Sequence, residues 1–201
     1  MGRRKETPDT IREMIKDAAL RLFSKFGYRK TAVDEIARDA RIAKGTIYNY
    51  FSTKDDLIRA VFREEEEKMV SQVRGHIREE SDPADKLKKI LTEKLGAVEK
   101  SPLLAQVLSE KRDNLIAGLD KELERLDHLE TDMIEEILRD GNSQLSLAEG
   151  ELEEMSRAIQ RALRGLELSY LEGHHDQIEQ DADLLLGALF DGLKKKPSGN
   201  A

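Results

Sequence analysis

The sequence contains no cysteine and no tryptophan, and aromatic residues make up only 4% of its 201 positions. Without cysteine, disulfide bonds, thiolate metal sites, cysteine nucleophiles and thiol redox sensing are all excluded. No stretch approaches the roughly 18 consecutive apolar residues of a membrane-spanning helix, and no apolar segment follows the basic residues at the N-terminus. We therefore expect a cytoplasmic protein.

The net charge of -7 conceals an uneven distribution along the chain. Residues 1–63 carry 15 Lys and Arg against 9 Asp and Glu, whereas the rest of the chain carries 19 against 32. Six of the nine Phe and Tyr residues also lie before residue 52. A basic, aromatic-rich segment joined to an acidic body suggests that the segment binds nucleic acid. From charge alone, an ordinary solvated basic surface is the alternative.

Apolar residues recur at every third or fourth position through most of the chain, which predicts an all-α fold. The first helix should cover residues 9–26 and end at Gly27. Thr31 with Asp34 resembles a capping box that starts a short second helix. The stretch KGTIYNYF predicts a third short helix that turns Ile47 and Phe51 inward. The core that these two residues face should contain Leu22, Phe23, Phe26, Ile36, Ala37 and Ile42.

The remaining two thirds of the chain predict a helical bundle. A long helix should be capped by Ser52 or Thr53, and the run EEEE at 64–67 should form a solvated face of it. Later breaks are expected at SDPAD, where Ser or Asp should cap a helix that begins at Pro83, at SP and in the loop 141–151. The last two helices should cover about 148–171 and 176–195. An apolar spacing that includes Leu108, Leu115 and Leu119 continues through the middle of the chain. We assign residues 8–54 to a DNA-binding domain, 55–195 to a C-terminal helical domain and 196–201 to a disordered tail.

The short helices at the N-terminus suggest a specific function. Two short helices separated by a tight turn and preceded by a longer helix form a helix-turn-helix, whose second short helix enters the DNA major groove. Residues 44–50 would be this recognition helix. Its polar side chains have suitable chemistry: a Lys charge and Thr and Tyr hydroxyls for phosphate oxygens, and an Asn amide for a base edge. Gly45 would allow a close approach to the sugar-phosphate backbone.

The stretches AALRLFSKFGY and TAVDEIARDARIAKGTIYNYFSTKDDL resemble the DNA-binding domain of the TetR family of transcriptional regulators, over about the first sixty residues. The resemblance implies a homodimer, a C-terminal effector pocket, and repression that is released when a small ligand binds. It also implies that Thr31 lies beside a phosphate at the start of the second helix and that Lys54 contacts the DNA backbone. The implied recognition surface consists of Lys44, Gly45, Thr46, Tyr48, Asn49 and Tyr50.

The chain departs from the family pattern at two positions. Arg41 stands in the turn where the family usually has Gly; if this residue is left-handed, it costs roughly 1–2 kcal/mol. Either Arg41 offsets that strain by contacting a phosphate, or the turn has a different shape. Ala43 stands where the family favours a Ser or Thr cap, which weakens the start of the recognition helix by about 1 kcal/mol.

Two further sets of residues follow from placing a family-like bundle on the C-terminal domain. The effector pocket would take an apolar or amphipathic ligand, although each of its residues is also a candidate for plain core: Met69, Val73, Ile77, Leu104, Leu108, Ile134, Leu138, Leu166 and Tyr170. Small residues among leucines on the last two helices allow a four-helix dimer interface. That interface would contain Ala158, Ile159, Ala162, Leu163, Leu166, Leu185, Leu186, Ala188 and Leu189.

The sequence predicts neither an enzyme nor a metal or cofactor site. No Ser/His/Asp order and no Gly-rich phosphate loop is present, and adjacent histidines such as His174 and His175 point about 100° apart on a helix. We therefore expect a ligand-released repressor that binds an inverted-repeat DNA operator as a homodimer. The alternative is a helical adaptor whose basic N-terminal surface binds an acidic protein.

Overall fold

The computed structural model describes residues 7–109, 119–141 and 147–193, which form α-helices and connecting turns without any β-strand. The helices are α1 (Pro8–Phe26), α2 (Val33–Asp39), α3 (Lys44–Tyr50), α4 (Lys54–Ile77), α5 (Pro83–Lys100), α6 (Pro102–Ser109), α7 (Leu119–Gly141), α8 (Glu149–Leu171) and α9 (Ile178–Leu193). The all-α prediction is confirmed. Leu115, the predicted tail at 196–201 and part of the loop predicted at 141–151 lie outside the described residues.

The described residues form two compact units. The first unit contains residues 7–67, 98–109 and 119–122, and the second contains 68–97, 123–141 and 147–193. Helix α4 contributes residues to both units. The domain boundary predicted between residues 54 and 55 stays a prediction. None of the helices in the described ranges has the length and apolar character needed to cross a lipid bilayer.

In the first unit, α1 packs against α2 and α6, and α2 packs against α3. Phe23 and Ile36 are fully buried at the centre of this packing. Phe26 was expected in the same core, but this prediction was wrong because its side chain is 49% exposed. Phe26 is the last residue of α1, and the Lys25 ammonium group lies over its ring, 5.1 Å from the centroid. Gly27 ends the helix with a φ of 80°.

The run EEEE at 64–67 is not a uniformly solvated face, so that expectation was also wrong. Glu66 is fully buried, Glu64 pairs with the Lys16 ammonium group at 2.6 Å, and Glu65 accepts a hydrogen bond from the Ser101 hydroxyl at 2.8 Å. The partners come from α1 and from the residue that precedes α6. Charged residues in this part of α4 therefore connect elements of the first unit.

In the second unit, α8 packs against α9. Helix α5 begins at Pro83 as predicted, and the Asp82 carboxylate accepts a hydrogen bond from the Ala84 N–H group at 2.8 Å. Such a cap satisfies one of the free N–H groups in the first turn of a helix. The Asp and Pro residues of SDPAD were therefore sufficient to predict where α5 begins.

Candidate nucleic-acid interface

Two buried side chains fix the orientation of α3. Ile47 is 2% exposed and Phe51, which directly follows the helix, is 3% exposed. The guanidinium group of Arg12 in α1 lies over the Phe51 ring at 4.7 Å from its centroid, so this ring has a cation on one face. With the apolar side of α3 held against the core, its other side faces solvent.

The solvent-facing side of α3 carries much of the predicted recognition surface. Lys44, Gly45, Tyr48 and Asn49 are exposed, and the Tyr48 side chain reaches 45% exposure despite its aromatic ring. Two further members of the predicted set are half-buried, Thr46 and Tyr50. The structure therefore brings the predicted residues together on one short helix. Their contact with DNA stays a prediction.

The turn between α2 and α3 has a left-handed residue at the position where the resemblance implied a Gly. Arg41 has a φ of 57°, and its side chain is exposed. The Ile42 N–H group donates to the Ala37 carbonyl at 3.0 Å, and the Arg41 N–H group donates to the Arg38 carbonyl at 3.2 Å. This pair of hydrogen bonds is the Schellman motif, in which the left-handed position usually belongs to Gly. An arginine therefore stands where the backbone favours a residue without a Cβ atom.

The start of α3 lacks the side-chain cap that the family pattern favours. Ala43 is the N-cap residue, with extended backbone angles and no side-chain hydrogen bond to the helix. The Thr46 N–H group donates instead to the Ala43 carbonyl at 2.9 Å. The Lys44 ammonium group pairs with the Asp34 carboxylate at 3.1 Å, and both side chains are well exposed. The hydrogen bond and charge of Asp34 raise the pKa of Lys44.

Thr31 occupies a different place from the one the resemblance implied. It is 1% exposed, and its hydroxyl lies 2.9 Å from the Gly27 carbonyl and 3.2 Å from the Leu22 carbonyl, to which it can donate. Helix α2 begins two residues later, at Val33, and the Glu35 carboxylate accepts a hydrogen bond from the N–H group of the N-cap residue Ala32 at 2.8 Å. The predicted capping box of Thr31 with Asp34 was therefore wrong. We leave Thr31 out of the proposed DNA-facing surface because its hydroxyl is used inside the protein.

Lys54 belongs to a cluster that the sequence did not reveal. Thr53 caps α4 through a hydrogen bond from the Asp56 N–H group to its hydroxyl at 3.0 Å, and Lys54 is the first residue of the helix. The Lys54 ammonium group lies over the Tyr28 ring, 4.0 Å from its centroid, and the Tyr28 hydroxyl donates a hydrogen bond to Asp55. Partial burial lowers the pKa of Lys54. Burial and the Asp55 carboxylate raise the pKa of Tyr28.

The predicted effector-pocket residues divide between the two units. Leu104 and Leu108 belong to the first unit, and the other seven belong to the second. Most of the set is buried, whereas Ile77, Leu166 and Tyr170 are half-buried. Burial fits both a pocket wall and an ordinary core, so the pocket stays a prediction.

The predicted dimer residues are also mixed. Ile159, Leu163 and Leu186 are buried within the protomer. The other members are exposed or half-buried: Ala158, Ala162, Leu166, Leu185, Ala188 and Leu189. Two further exposed leucines, Leu168 and Leu184, lie on the same helices at 38% and 73% exposure. Helices α8 and α9 thus carry an apolar surface, and the interface itself stays a prediction.

A buried cluster of charged residues lies in the second unit. The Lys94 ammonium group is 2.5 Å from a Glu130 oxygen and 2.9 Å from a Glu167 oxygen, and the Arg164 guanidinium group is 2.8 Å from Glu167. Burial raises the pKa of Glu130, and the Glu167 charge raises it further, against the effect of Lys94. Burial opposes ionisation of Glu167 too, but Lys94 and Arg164 hold its pKa below the usual value. No residue spacing in the sequence pointed to this cluster.

Comparison with known proteins gives a family match at the N-terminus. Residues 15–61 match the model of the bacterial regulatory proteins of the tetR family. The fatty acid metabolism regulator protein of Bacillus subtilis is 32% identical over 78 residues, covering 39% of this chain and 40% of that protein. The transcriptional repressor KstR of Rhodococcus jostii is 33% identical over 98 residues, covering 49% and 45%. The chain thus spans less than half the length of these relatives.

Solved structures are similar over nearly the whole chain. A FadR regulator of Bacillus subtilis, in complex with stearoyl-CoA, aligns with a TM-score of 0.69 at 21% identity, over 90% of this chain and 98% of that one. A TetR regulator of Haloarcula marismortui aligns with a TM-score of 0.73 at 20% identity, over 93% and 100%. At such identities the likeness concerns the fold. The N-terminal part of the chain is therefore similar to the TetR family of regulatory proteins.

Proposed function

We propose that this protein is a DNA-binding transcriptional regulator of the cytoplasm whose helix α3 enters the major groove of an operator. The observation that carries the proposal is the two-sided character of α3. Ile47 and Phe51 hold one side in the core, which leaves Tyr48 and Asn49 on the other side with polar groups toward solvent. An Asn amide can pair bidentately with adenine, and a Tyr hydroxyl suits a phosphate oxygen.

Basic side chains around α3 would supply the phosphate contacts. Arg41 in the preceding turn is exposed, and Lys54 begins the following helix. Lys44 would have to exchange its exposed Asp34 partner for a phosphate. Such an exchange is inexpensive because exposed ion pairs contribute only about 0–1 kcal/mol.

The regulator would act as a two-fold homodimer on an inverted repeat. Leu168 on α8 and Leu184 and Leu185 on α9 are exposed apolar side chains of the kind that a dimer buries. Two-fold symmetry would place the two recognition helices about 34–36 Å apart, one turn of DNA. Replacing Leu184 and Leu185 with Glu should therefore yield a monomer in sedimentation and weaken operator binding. A dimer that survives this change would contradict the proposed interface.

The second unit would bind an apolar or amphipathic effector, and binding would release the repressor from DNA. Long-chain acyl compounds are the first class to test, because the Bacillus subtilis relative is a fatty acid metabolism regulator and a similar fold was solved with stearoyl-CoA. The effector would bind more tightly to the dimer state whose recognition helices do not match the operator. Stearoyl-CoA should raise the melting temperature and release DNA, whereas free CoA, which lacks the acyl chain, should do neither.

Selection of bound fragments from the source organism's genomic DNA tests the proposal. The unaltered chain should enrich an inverted repeat, and Tyr48→Ala combined with Lys54→Ala should lose it. Arg74→Ala is a charge-matched control, since Arg74 is an exposed residue of α4 in the second unit. The DNA affinity of Arg74→Ala should fall with rising salt concentration as steeply as that of the unaltered chain. If both the unaltered chain and the double variant recover only unspecific DNA equally, the protein is better described as an adaptor.

A further inference from the structure

The start of α4 contains a residue that local helix chemistry disfavours. The N-terminal end of a helix carries a partial positive charge, which favours Asp and Glu in the first turn and disfavours Lys. Asp55 and Asp56 follow this preference, whereas Lys54, the first residue of the helix, opposes it. Residues that oppose a local preference of this kind are often found at functional sites.

The Tyr28 side chain holds this lysine. Its ring face lies 4.0 Å from the Lys54 ammonium group, within the distance at which an aromatic quadrupole attracts a cation. The ring is itself fixed: it packs against buried Phe23 with a centroid separation of 5.7 Å, and its hydroxyl donates to Asp55. Tyr28 therefore touches both residues at the start of α4 from the turn that follows α1.

The acidic neighbours of Lys54 are engaged elsewhere. The Asp55 carboxylate accepts from Tyr28, and the Asp56 carboxylate accepts from the Thr53 N–H group at 2.9 Å and pairs with Arg59. In the part of the chain that the structure describes, no carboxylate lies within ion-pairing distance of the Lys54 ammonium group. Lys54 differs in this respect from Lys44, which pairs with Asp34.

We propose that Tyr28 is a positioning residue for DNA binding, whose ring holds the Lys54 ammonium group ready for a phosphate and whose hydroxyl keeps Asp55 from competing for it. The inference rests on the proposed DNA-binding function. A free lysine side chain has many rotamers, and ordering them on binding opposes affinity. The ring restricts those rotamers before DNA arrives, and a cation on an aromatic face keeps its charge available on the opposite side. Tyr28 itself need not touch the DNA.

A double-mutant cycle between Tyr28→Leu and Lys54→Gln tests this role. The probe is a random-sequence duplex about three helical turns long, because phosphate contacts do not depend on sequence. Lys54→Gln should reduce the slope of log K against log salt by about 0.9, the value for one phosphate contact. Tyr28→Leu should leave that slope unchanged and weaken binding about three- to tenfold, as expected when one lysine side chain has to be ordered on binding. In the Lys54→Gln background, Tyr28→Leu should have no further effect.

Two further variants separate positioning from folding. Tyr28→Phe keeps the ring, so it should restore most of the affinity that Tyr28→Leu loses. Phe26→Leu removes an exposed aromatic side chain from the end of α1 and should not change DNA affinity. In the DNA-free protein, the NMR signals of the Lys54 side chain should show a ring-current shift that Tyr28→Phe retains and Tyr28→Leu abolishes.

The outcomes distinguish this inference from the proposed function. If the unaltered chain binds DNA but Tyr28→Leu has the same effect with Lys54 present or replaced, the positioning role is wrong and the DNA-binding function stands. If Tyr28→Phe keeps the ring-current shift of Lys54 yet binds as weakly as Tyr28→Leu, the ring does not position Lys54 and that part of the proposal is wrong. If the unaltered chain shows no salt-dependent binding to duplex DNA, the proposed function fails, and the phosphate contact of Lys54 fails with it.

Discussion

Replacing Lys94 with methionine should lower the free energy of unfolding by about 3 kcal/mol near neutral pH. Methionine has a similar volume, so the change removes the cation and leaves little empty space. Breaking a buried ion pair costs about 3–5 kcal/mol because a charge stays buried without its partner. Arg164 still pairs with Glu167 at 2.8 Å, which leaves Glu130 as the uncompensated carboxylate and places the loss at the lower end of that range.

The loss should shrink as the pH falls. Burial already raises the pKa of Glu130 in the intact cluster, where Lys94 opposes the shift, so removing Lys94 raises that pKa further. Between the unfolded pKa of about 4.3 and the raised folded value, the folded variant binds more protons than the unfolded chain. Stability of the variant therefore increases as the pH falls through this window. Once it is protonated, the Glu130 carboxyl group is neutral, and the absence of the Lys94 charge no longer destabilises the folded state.

Urea unfolding followed by circular dichroism at about pH 7 and about pH 5 measures both effects. With an m value of about 2 kcal/mol/M, the midpoint should fall by about 1.5 M at the higher pH. Lys88→Met on the same helix is the matched control: its partner Asp183 is 59% exposed, so the loss should be about 0–1 kcal/mol. Lys94→Met combined with Glu130→Gln should recover most of the stability. A Lys94→Met loss no larger than that of Lys88→Met, or one independent of pH, would refute the reasoning.

Three other changes probe the helix-turn-helix. Arg41→Gly should raise the free energy of unfolding by about 0.5–1 kcal/mol, because relief of left-handed strain exceeds the added unfolded-state entropy; if Arg41 contacts a phosphate, DNA binding weakens and its salt slope falls by about 0.9. Ala43→Ser should stabilise α3 by about 1 kcal/mol and slow hydrogen exchange in its first turn; unchanged exchange would show that the hydroxyl does not cap the helix. Ile47→Ala should destabilise the first unit by about 2–5 kcal/mol in denaturant unfolding, whereas exposed Tyr48→Ala should change stability by less than about 0.5 kcal/mol. Similar losses from these two would contradict the two-sided description of α3.

Most helices could be predicted because their signals are local. Apolar spacing, Gly27 as a helix stop and Pro83 as a helix start each act within a few residues. The errors came where distant elements decide the outcome. Phe26 fits the apolar spacing of α1, but it is the last residue of that helix and stays half exposed. Glu66 has a charged side chain in a charged run, yet the packing of the first unit buries it.

The exposed residues of the candidate interface could be predicted from the sequence, but the contacts that hold these residues in place could not. Tyr48 and Asn49 follow from the helical position of Ile47 and Phe51 on a single short helix. The contact between Tyr28 and Lys54 joins residues 26 positions apart, and the hydroxyl of Thr31 turns inward to carbonyl groups at the end of α1. Neither arrangement leaves a periodic mark in the sequence.

By itself, the sequence determined the all-α class, the helix-turn-helix and its polar face, because helix formation and amphipathic spacing are properties of neighbouring residues. The resemblance to the TetR family added a turn position where a residue other than Gly would be strained if it is left-handed. Tertiary structure alone decided that Arg41 is left-handed, that Lys54 lies on an aromatic ring and that Lys94 is buried between two carboxylates. The positions of Lys54 and Lys94 depend on distant groups that the fold brings to them, and burial of a charge is favourable only when its partners are brought to it in this way.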